Sequence, residues 1–427
     1  MQPLLQLIQQ HKAGKAVGIY AVCSAHPLVI EAALLQGKKD NALVLIEATS
    51  NQVNQDGGYT GMCPEDYITL VHQLADNVGF DRSRLLLGGD HLGPNCWQHL
   101  EPNEAMAKSE VLIERYVEAG FRKIHLDCSM SCADDEYPLP DDTVAKRAAQ
   151  LCRVAEQTWQ RVGGEAPVYV IGTEVPVPGG AQEQLSDDLA ITDVCAAATT
   201  LDTHLTAFTS MGLEPVWPRV VGLVVQPGVE FDHHKVIHYD SDKAQALSQF
   251  VEQQPYLVYE AHSTDYQAEK AYQALVHDHF AILKVGPALT FALREALFAL
   301  DQIEREWIGE HKASHLRATV EQVMQENPDY WRSYYPHVGH QQYFDCKYSF
   351  SDRIRYYWSH PAVQQATEIL FANLAASPAP LTLLSQYMPM QYKAVCDGDI
   401  ALTPEQLVIH KIMEVTRIYS GACGHEL

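Results

Sequence analysis

Eight short apolar stretches rich in β-branched residues recur along the first two thirds of the chain. They span residues 18–23, 43–48, 85–89, 123–127, 168–174, 219–226, 256–261 and 280–285. Longer stretches with helical spacing, such as 105–119 and 142–162, separate them. Continuous apolar strands that alternate with helices are typical of parallel sheets covered on both faces. Eight such repeats predict an α/β fold, a closed (β/α)8 TIM barrel. The alternative, an open doubly wound sheet, is disfavoured because no Gly-x-Gly-x-x-Gly turn follows the first stretch.

The chain continues well beyond the eighth repeat. Residues 291–308 are predicted to form the closing helix, and 309–427 are predicted to form a helical extension. We therefore expect a barrel over 1–308 and an extension packed on it, because no Ser/Gly-rich linker separates the two. The extension carries aromatic residues at 356–358 beside Arg353 and Arg355. These serve either as anchors for a partner or as ordinary packing against the barrel.

Charge and cysteine content narrow the classes of function. The 427 residues include 30 Lys+Arg and 54 Asp+Glu, for a net charge of −24. Such an acidic surface repels nucleic acid and anionic membranes, so an anionic ligand would need a local positive field. Ten cysteines without a Cys-x-x-Cys pair predict reduced thiols in a cytoplasmic protein. No apolar run is long enough to span a membrane.

Polar residues follow the predicted strands in phase. Residues of this kind include Glu47 after the second strand, Asp90 and His91 after the third, Asp127 after the fourth, Glu174 after the fifth, Glu260 and His262 after the seventh, and Lys284 after the eighth. In a barrel, the carboxyl ends of all strands meet at one rim, where barrel active sites lie. The pattern therefore predicts one polar site at this rim.

The residue types at the rim suggest acid–base and metal chemistry. Asp90 is a candidate acid/base next to His91, a candidate metal ligand. Glu174, Glu260 and His262 are further candidate ligands from neighbouring strands. Glu47 and Asp127 are expected nearby.

A phosphate site is predicted at the end of the eighth strand. Backbone N–H groups at a helix N-terminus attract anions, and barrels commonly bind phosphate after strands seven and eight. Ser263, Lys284, Gly286 and Thr290 are the candidate contacts. The alternative for Lys284 is an ion pair with a rim carboxylate such as Glu260 or Asp90.

Several long motifs resemble one known family. They include Leu87-Gly-Gly-Asp-His-Leu-Gly-Pro-Asn95, Gly172-Thr-Glu-Val-Pro-Val-Pro-Gly-Gly180, Tyr259-Glu-Ala-His-Ser-Thr-Asp-Tyr-Gln267 and Leu283-Lys-Val-Gly-Pro-Ala-Leu-Thr-Phe291, with further matches at 22–27, 46–53, 351–358 and 385–387. These resemble the Z-subunit family of tagatose-1,6-bisphosphate aldolase, an enzyme of galactitol and N-acetylgalactosamine catabolism. The resemblance covers nearly the whole chain. Segments 21–23 and 127–130 favour the aminosugar version.

The resemblance implies an accessory role. In that family a separate class II zinc-dependent Y subunit carries the chemistry, and the Z subunit supports its stability and full activity. Class II aldolases resemble this chain at Asp90 and His91, which correspond to their acid/base and one zinc ligand. Their two further zinc histidines align with Pro227 and Glu260, and His262 lies two residues beyond the second. A three-histidine zinc site would then be incomplete.

Two functional hypotheses follow from the resemblance. The first is a non-catalytic, chaperone-like subunit that supports the Y subunit in D-tagatose 6-phosphate degradation. Such a subunit requires no cofactor of its own and binds at most residual zinc or another divalent metal. The second is a self-sufficient, metal-dependent sugar-phosphate aldolase. A sugar-phosphate kinase is disfavoured because the sequence has no Gly-x-x-x-x-Gly-Lys-Ser loop. Two further hypotheses are that the rim pocket binds a sugar phosphate and that the chain forms a homo-oligomer.

Overall fold

Eight parallel strands close into a barrel in the computed structural model, which describes residues 1–176, 179–186 and 189–424. The barrel strands are β1 (Ile19–Cys23), β2 (Val44–Thr49), β3 (Leu85–Leu92), β4 (Lys123–Leu126), β5 (Val168–Ile171), β6 (Val220–Val224), β9 (Val258–Ala261) and β10 (Ile282–Val285). Each strand pairs with its sequence neighbours in the barrel, and β1 pairs with β10 to close it. The predicted barrel is therefore confirmed and the open sheet is excluded. A two-stranded antiparallel hairpin, β7 (Glu230–Phe231) and β8 (Val236–Ile237), follows β6.

Helices surround the barrel and form the rest of the chain. They are α1 (Gln2–Lys12), α2 (Pro27–Lys39), α3 (Pro64–Val78), α4 (Pro102–Ala119), α5 (Asp141–Val162), α6 (Val194–Ser210), α7 (Ser241–Glu252), α8 (Glu269–His277), α9 (Pro287–Ile308), α10 (Leu316–Glu326), α11 (His340–Tyr348), α12 (Pro361–Ala376), α13 (Leu381–Tyr387), α14 (Pro389–Asp397) and α15 (Pro404–Ala422). Among the described residues, no helix is both long and apolar enough to cross a bilayer.

The amino end of the barrel is filled by apolar side chains. Leu4 and Ile8 of α1 are buried against strand residues such as Ile19, Leu45 and Val221. This packing removes apolar surface from water and plugs one end of the barrel. The opposite, carboxyl end is the one left for polar residues.

The extension returns to the barrel through its last helix. α15 packs against α2, α8 and α9. Tyr419 of α15 is fully buried beside Tyr272, and its hydroxyl lies 3.0 Å from the hydroxyl of Thr264, after β9. No strand occurs after β10 in the part of the chain that the structure describes, as expected for a helical extension. Residues 425–427 lie outside the described residues.

Two predicted boundaries were wrong. The closing helix begins at Pro287 rather than at position 291, because Pro suits the first helical turn and the Asp265 carboxylate accepts the N–H groups of Gly286 and Ala288. The fifth strand ends at Ile171, three residues before Glu174. Gly172 and Thr173 carry the chain away from the barrel, which leaves Glu174 exposed.

Candidate functional site

A cluster of fully or almost fully buried charges lies near the carboxyl end of the barrel. We call Glu47, Asp90, Lys123, Glu260 and Lys284 the buried charge cluster; each is at most 5% exposed. Lys123 Nζ lies 2.6 Å from Glu47 Oε1 and 2.6 Å from Glu260 Oε2. Lys284 Nζ contacts Glu47 Oε2 and lies 2.9 Å from Asp90 Oδ1 and 3.8 Å from Glu260 Oε1. Two ammonium groups thus neutralise most of the charge of three carboxylates.

The barrel makes room for this cluster at one glycine. A Cβ at Gly88 would lie 2.5 Å from Glu47 Oε1 and 3.0 Å from its carboxyl carbon. A larger residue on β3 would therefore push the Glu47 carboxylate away from Lys123. The sequence 85–89, which supplies two glycines after three leucines, is needed for the cluster as well as for the strand.

The paired lysines and histidines set the protonation of the cluster. Burial alone would raise the pKa of Asp90, but His91, Lys284 and a hydrogen bond from His125 hold that pKa well below its usual range. Burial likewise opposes ionisation of Glu260, yet Lys123 and Lys284 hold its pKa well below the ordinary value. Both carboxyl groups are therefore charged across the physiological range.

Three histidines converge above the cluster. The ring centroids of His91, His125 and His262 lie 5.0 to 5.2 Å from one another. Asp127 Oδ2 accepts a 2.7 Å hydrogen bond from His91 Nδ1, which orients that ring. His125 Nδ1 lies 2.9 Å from Asp90 Oδ1, and His125 Nε2 is buried without a hydrogen-bond partner among the described residues. His91 and His262 were predicted as candidate ligands, and His125 joins them from β4 as a third imidazole that was not predicted.

The donor types and their spacing suit zinc, but lysines and histidines already bind the same oxygens. Asp90, His125, Glu260 and His262 each offer an atom within 4.8 Å of the others. However, Glu260 is bonded to Lys123 through one oxygen and lies 2.9 Å from His262 Nε2 through the other. Asp90 is bonded to Lys284 and His125. A dication would have to displace these partners and would lie beside an ammonium group, which like-charge repulsion disfavours.

A cavity of about 600 Å³ opens above the cluster. Asp90, His91, His262 and Lys284 line it, as predicted for a shared rim pocket. Glu47, Asp127 and Glu260 are fully buried and lie outside its lining. Glu174 is exposed, accepts a hydrogen bond from Thr192 and belongs to neither the cavity nor the histidine group, so its expected place at the site was wrong. The reason is the early end of β5.

The four predicted phosphate contacts also line the cavity, but carboxylates already engage most of them. Gly286 N and Ala288 N donate to Asp265 Oδ1 at 3.0 and 2.8 Å. The Thr290 hydroxyl donates to Asp352 Oδ2 at 2.6 Å, and Lys284 belongs to the buried charge cluster. For Lys284, the alternative of an ion pair with rim carboxylates is confirmed. A phosphate at this helix N-terminus would compete with the Asp265 carboxylate for the same amides.

Two residues of the cavity hold strained backbone. His91 has φ 49° and Ser263 has φ 52°, in the left-handed region that ordinary residues rarely adopt. Strain of this kind concentrates at functional sites, where the surrounding structure holds it in place. Both residues line the cavity.

The extension supplies the other wall of the cavity. Arg355, Tyr356, Trp358 and Phe371 line it opposite the strand ends. The aromatic segment 356–358 therefore packs onto the barrel and also borders a pocket. Sequence reasoning assigned Arg355 only to an interface or to packing, because nothing in a local pattern says which barrel end an extension will cover.

Lys123 and His125 were missed although the sequence held a signal for them. Residues 123, 125 and 127 alternate along β4 as Lys, His and Asp. Successive side chains of a strand point to opposite faces, so these three share one face. The strand-end pattern predicted Asp127 but not Lys123 and His125, which precede it on the same face.

Comparison with known proteins gives one strong family match. The family model of D-tagatose-1,6-bisphosphate aldolase subunits, GatZ/KbaZ-like, matches residues 4–424. The crystal structure of a probable tagatose 6 phosphate kinase from Sinorhizobium meliloti 1021 is 47% identical, with a TM-score of 0.87, and the match covers 95% of this chain and 100% of that chain.

Two other solved structures are much less similar. A fructose-bisphosphate aldolase from Campylobacter jejuni is 14% identical, with a TM-score of 0.47 and coverage of 87% of this chain and 92% of that chain. The fructuronate-tagaturonate epimerase UxaE from Cohnella laeviribosi is 11% identical, with a TM-score of 0.49 and coverage of 97% and 82%. Neither similarity bears on activity.

Proposed function

Because this chain belongs to the GatZ/KbaZ-like family of D-tagatose-1,6-bisphosphate aldolase subunits, we propose that it is the non-catalytic, chaperone-like subunit of that enzyme. It supports the stability and full activity of a separate class II Y subunit in D-tagatose 6-phosphate degradation, within galactitol or N-acetylgalactosamine catabolism. Its place of action is the cytoplasm, and it needs no metal of its own.

The buried lysines are the observation that carries this proposal. Class II chemistry uses a dication to polarise the substrate carbonyl and to stabilise the enediolate. In this chain, Lys123 and Lys284 neutralise the carboxylates at the strand ends. Most of the negative charge is thus neutralised inside the protein by lysines rather than by a metal. Such a cluster stabilises a barrel end and leaves little negative charge to attract zinc.

A stabilising effect on the partner follows from mass action. A subunit that binds only the folded Y chain raises the apparent stability of that chain, by an amount set by its concentration relative to its dissociation constant. Such an effect requires a binding surface rather than a reaction centre.

One observation favours the second hypothesis, a self-sufficient metal-dependent aldolase. His125 Nε2 is buried without a partner, and it offers the third imidazole that the sequence comparison had not supplied. The kinase named for the Sinorhizobium relative receives no such support, since this sequence lacks the Gly-x-x-x-x-Gly-Lys-Ser loop.

The test is to measure bisphosphate cleavage by this chain alone, by the Y subunit alone and by the mixture. Metal content and thermal half-life are measured on the same samples. We expect no turnover and no stoichiometric metal in this chain alone, and a gain in activity and half-life in the mixture. Zinc-dependent turnover by this chain alone would establish the second hypothesis instead, and a mixture no better than the Y subunit would remove the partnership.

An Asp90→Asn variant separates the two hypotheses within one preparation. Loss of a catalytic acid/base costs about 10²- to 10⁴-fold in rate. If this chain is accessory, the folded variant gives the same activity gain in the mixture as the parent. A large loss that follows Asp90→Asn without loss of complex formation would place chemistry in this chain.

A further inference from the structure

Two arginines of the extension lie close to Gly179, and one of them, Arg355, lines the cavity. A Cβ built at Gly179 would lie 2.5 Å from Arg355 Nη2 and 3.7 Å from Arg353 Nη1. Arg355 and Gly179 both line the cavity. The absence of a side chain at position 179 thus leaves room for both guanidinium groups beside the backbone. We call Arg353 and Arg355 the arginine pair.

Neither member of the arginine pair has a carboxylate within 4.0 Å among the described residues. Arg355 donates from Nη1 to the backbone carbonyls of Ser351 and Asp352, and from Nη2 to the Tyr356 hydroxyl at 3.1 Å. Arg353 donates from Nε to the Tyr330 carbonyl at 2.6 Å. Its Nη1 is buried without a partner, on a side chain that is only 5% exposed. This contrasts with Lys123 and Lys284, whose ammonium groups are enclosed by carboxylates.

Aromatic rings hold the arginine pair in place. The guanidinium carbon of Arg353 lies 3.6 Å from the ring centroid of Tyr334 and 4.4 Å from that of Tyr356. The guanidinium carbon of Arg355 lies 4.6 Å from the Tyr356 ring. Stacking fixes the orientation of each fork but supplies no negative charge, so the two adjacent cations have no directly bonded anion, and Asp352 attracts Arg355 only from a distance. Their mutual repulsion is relieved when an anion binds between them.

We propose that the arginine pair binds the phosphate group of a phosphorylated sugar that occupies the cavity. Guanidinium groups form bidentate, charge-assisted hydrogen bonds with phosphate oxygens, and two of them match its double charge. The neighbouring wall carries hydroxyl and amide groups suited to a sugar, from Ser24, Asn51 and Thr60. This assignment places the phosphate at the extension rather than at the N-terminus of α9. At that N-terminus, the backbone N–H groups already donate to the Asp265 carboxylate. The choice of a sugar phosphate rests on the proposed function, whereas anion binding by the pair does not.

The first experiment measures the affinity of the full chain for three probes. Inorganic phosphate, D-tagatose 6-phosphate and unphosphorylated D-tagatose are titrated by calorimetry at constant ionic strength, which removes non-specific screening. We expect both phosphates to bind and the free sugar to bind far more weakly. Absence of binding by both phosphates at millimolar concentration overturns the proposal.

The variant for this test is Arg355→Gln, with Arg294→Gln as its control. Like Arg355, Arg294 lies over an aromatic ring, 4.1 Å from the Phe291 centroid, but it is buried and is not in the described lining of the cavity. Loss of one charge-assisted contact should weaken phosphate binding about 10- to 100-fold in Arg355→Gln and leave it unchanged in Arg294→Gln. Unchanged binding in folded Arg355→Gln overturns the assignment.

A second measurement needs no variant, in case Arg355→Gln does not fold. Arginine-specific modification by phenylglyoxal is followed by mass spectrometry with and without phosphate. Phosphate should protect Arg355 and leave the exposed Arg115 modified at the same rate. Equal modification of Arg355 with and without phosphate contradicts the proposal.

The mixing assay with the Y subunit distinguishes this inference from the proposed function. If Arg355→Gln loses phosphate binding but still activates the Y subunit, both proposals hold. If the parent binds phosphate but never activates the Y subunit, only the accessory role fails.

Discussion

Buried carboxylates lie in two groups, one at the deep end of the cavity and one near the extension, and their surroundings shift their pKa values in opposite directions. At the deep end, Lys123, Lys284 and the histidines outweigh burial and keep the pKa values of Asp90 and Glu260 well below the usual range. Near the extension, burial dominates and raises the pKa of Glu230 to about 7 and that of Asp265 to about 6.

Asp352 completes the second group. Burial raises its pKa to about 6, even though Thr290 donates to it and Arg355 and Arg294 attract its charge from a distance. Both groups of carboxylates are buried, so burial does not explain the opposite pKa shifts. The difference is that only the carboxylates of the deep end are in direct contact with an ammonium group. At the deep end, the carboxylates are largely neutralised by bound ammonium groups. Near the extension, the carboxyl groups can take up protons and the arginine pair can bind an anion.

The largest effect is expected from Lys123→Met at the deep end. Removal of one partner leaves Glu47 and Glu260 buried without their shared ammonium group, which costs about 3–5 kcal/mol in the free energy of unfolding. Urea denaturation measures this loss. Lys146→Met is the control, because Lys146 is an exposed residue paired only within its own helix and should change stability by less than about 0.5 kcal/mol.

A double variant sharpens this prediction. Lys123→Met combined with Glu260→Gln removes one cation and one anion, so its loss should be smaller than the sum of the two single losses. Strict additivity, or a loss below about 1 kcal/mol in Lys123→Met, would mean that the ion pairs of the cluster do not determine its stability.

The next effect concerns the end near the extension and appears as a pH dependence. In the folded protein, burial raises the pKa of Glu230 from the ordinary value of 4.5 to about 7. A carboxyl with a raised folded pKa stabilises the protein fully below its unfolded pKa and loses that contribution as pH rises through its folded pKa. Between pH 4.5 and 7, the parent should therefore lose up to about 3 kcal/mol through this group.

Glu230→Gln tests that pH dependence, because an amide does not titrate. The stability of the variant relative to the parent should rise as pH increases through this interval, as measured by thermal unfolding at several pH values. Glu183→Gln changes an exposed carboxylate and should show no such trend. A parallel pH profile of parent and Glu230→Gln would show that Glu230 is ionised at no cost in the folded chain.

Much of the deep end, although not Lys123 and His125, was predictable from the sequence because polar residues follow the strands periodically. Strand ends in phase placed Asp90, His91, His262 and Lys284 at one cavity, and all four line it. Glu174 failed because β5 ends early at Ile171, a boundary that an apolar run extended by Gly and Thr does not mark.

The end near the extension was not predictable in the same way. Its contacts join Gly179 to Arg355 across a long stretch of sequence, and no local period encodes such a contact. Asp265, which lies in the motif 259–267, was likewise not predicted to accept hydrogen bonds from the backbone N–H groups of Gly286 and Ala288. The helix that Asp265 caps is α9 and not α8, the next helix along the chain, so no local pattern links this carboxylate to those amides.

The smallest expected effect is that of Gly179→Ala, and it separates backbone strain from the arginine pair. Gly179 has φ 95°, where an alanine costs about 1 kcal/mol through its Cβ. Gly339→Ala is a matched control, because Gly339 has φ 70° and nothing lies within 4 Å of its added Cβ. Thermal unfolding should show a small loss for both variants, somewhat larger for Gly179→Ala because its methyl group also displaces the Arg355 guanidinium. Only Gly179→Ala places a methyl group against Arg355 Nη2, so only it should weaken phosphate binding, as measured by calorimetry. Equal phosphate affinity in the two variants would mean that the anion does not bind at the arginine pair beside Gly179.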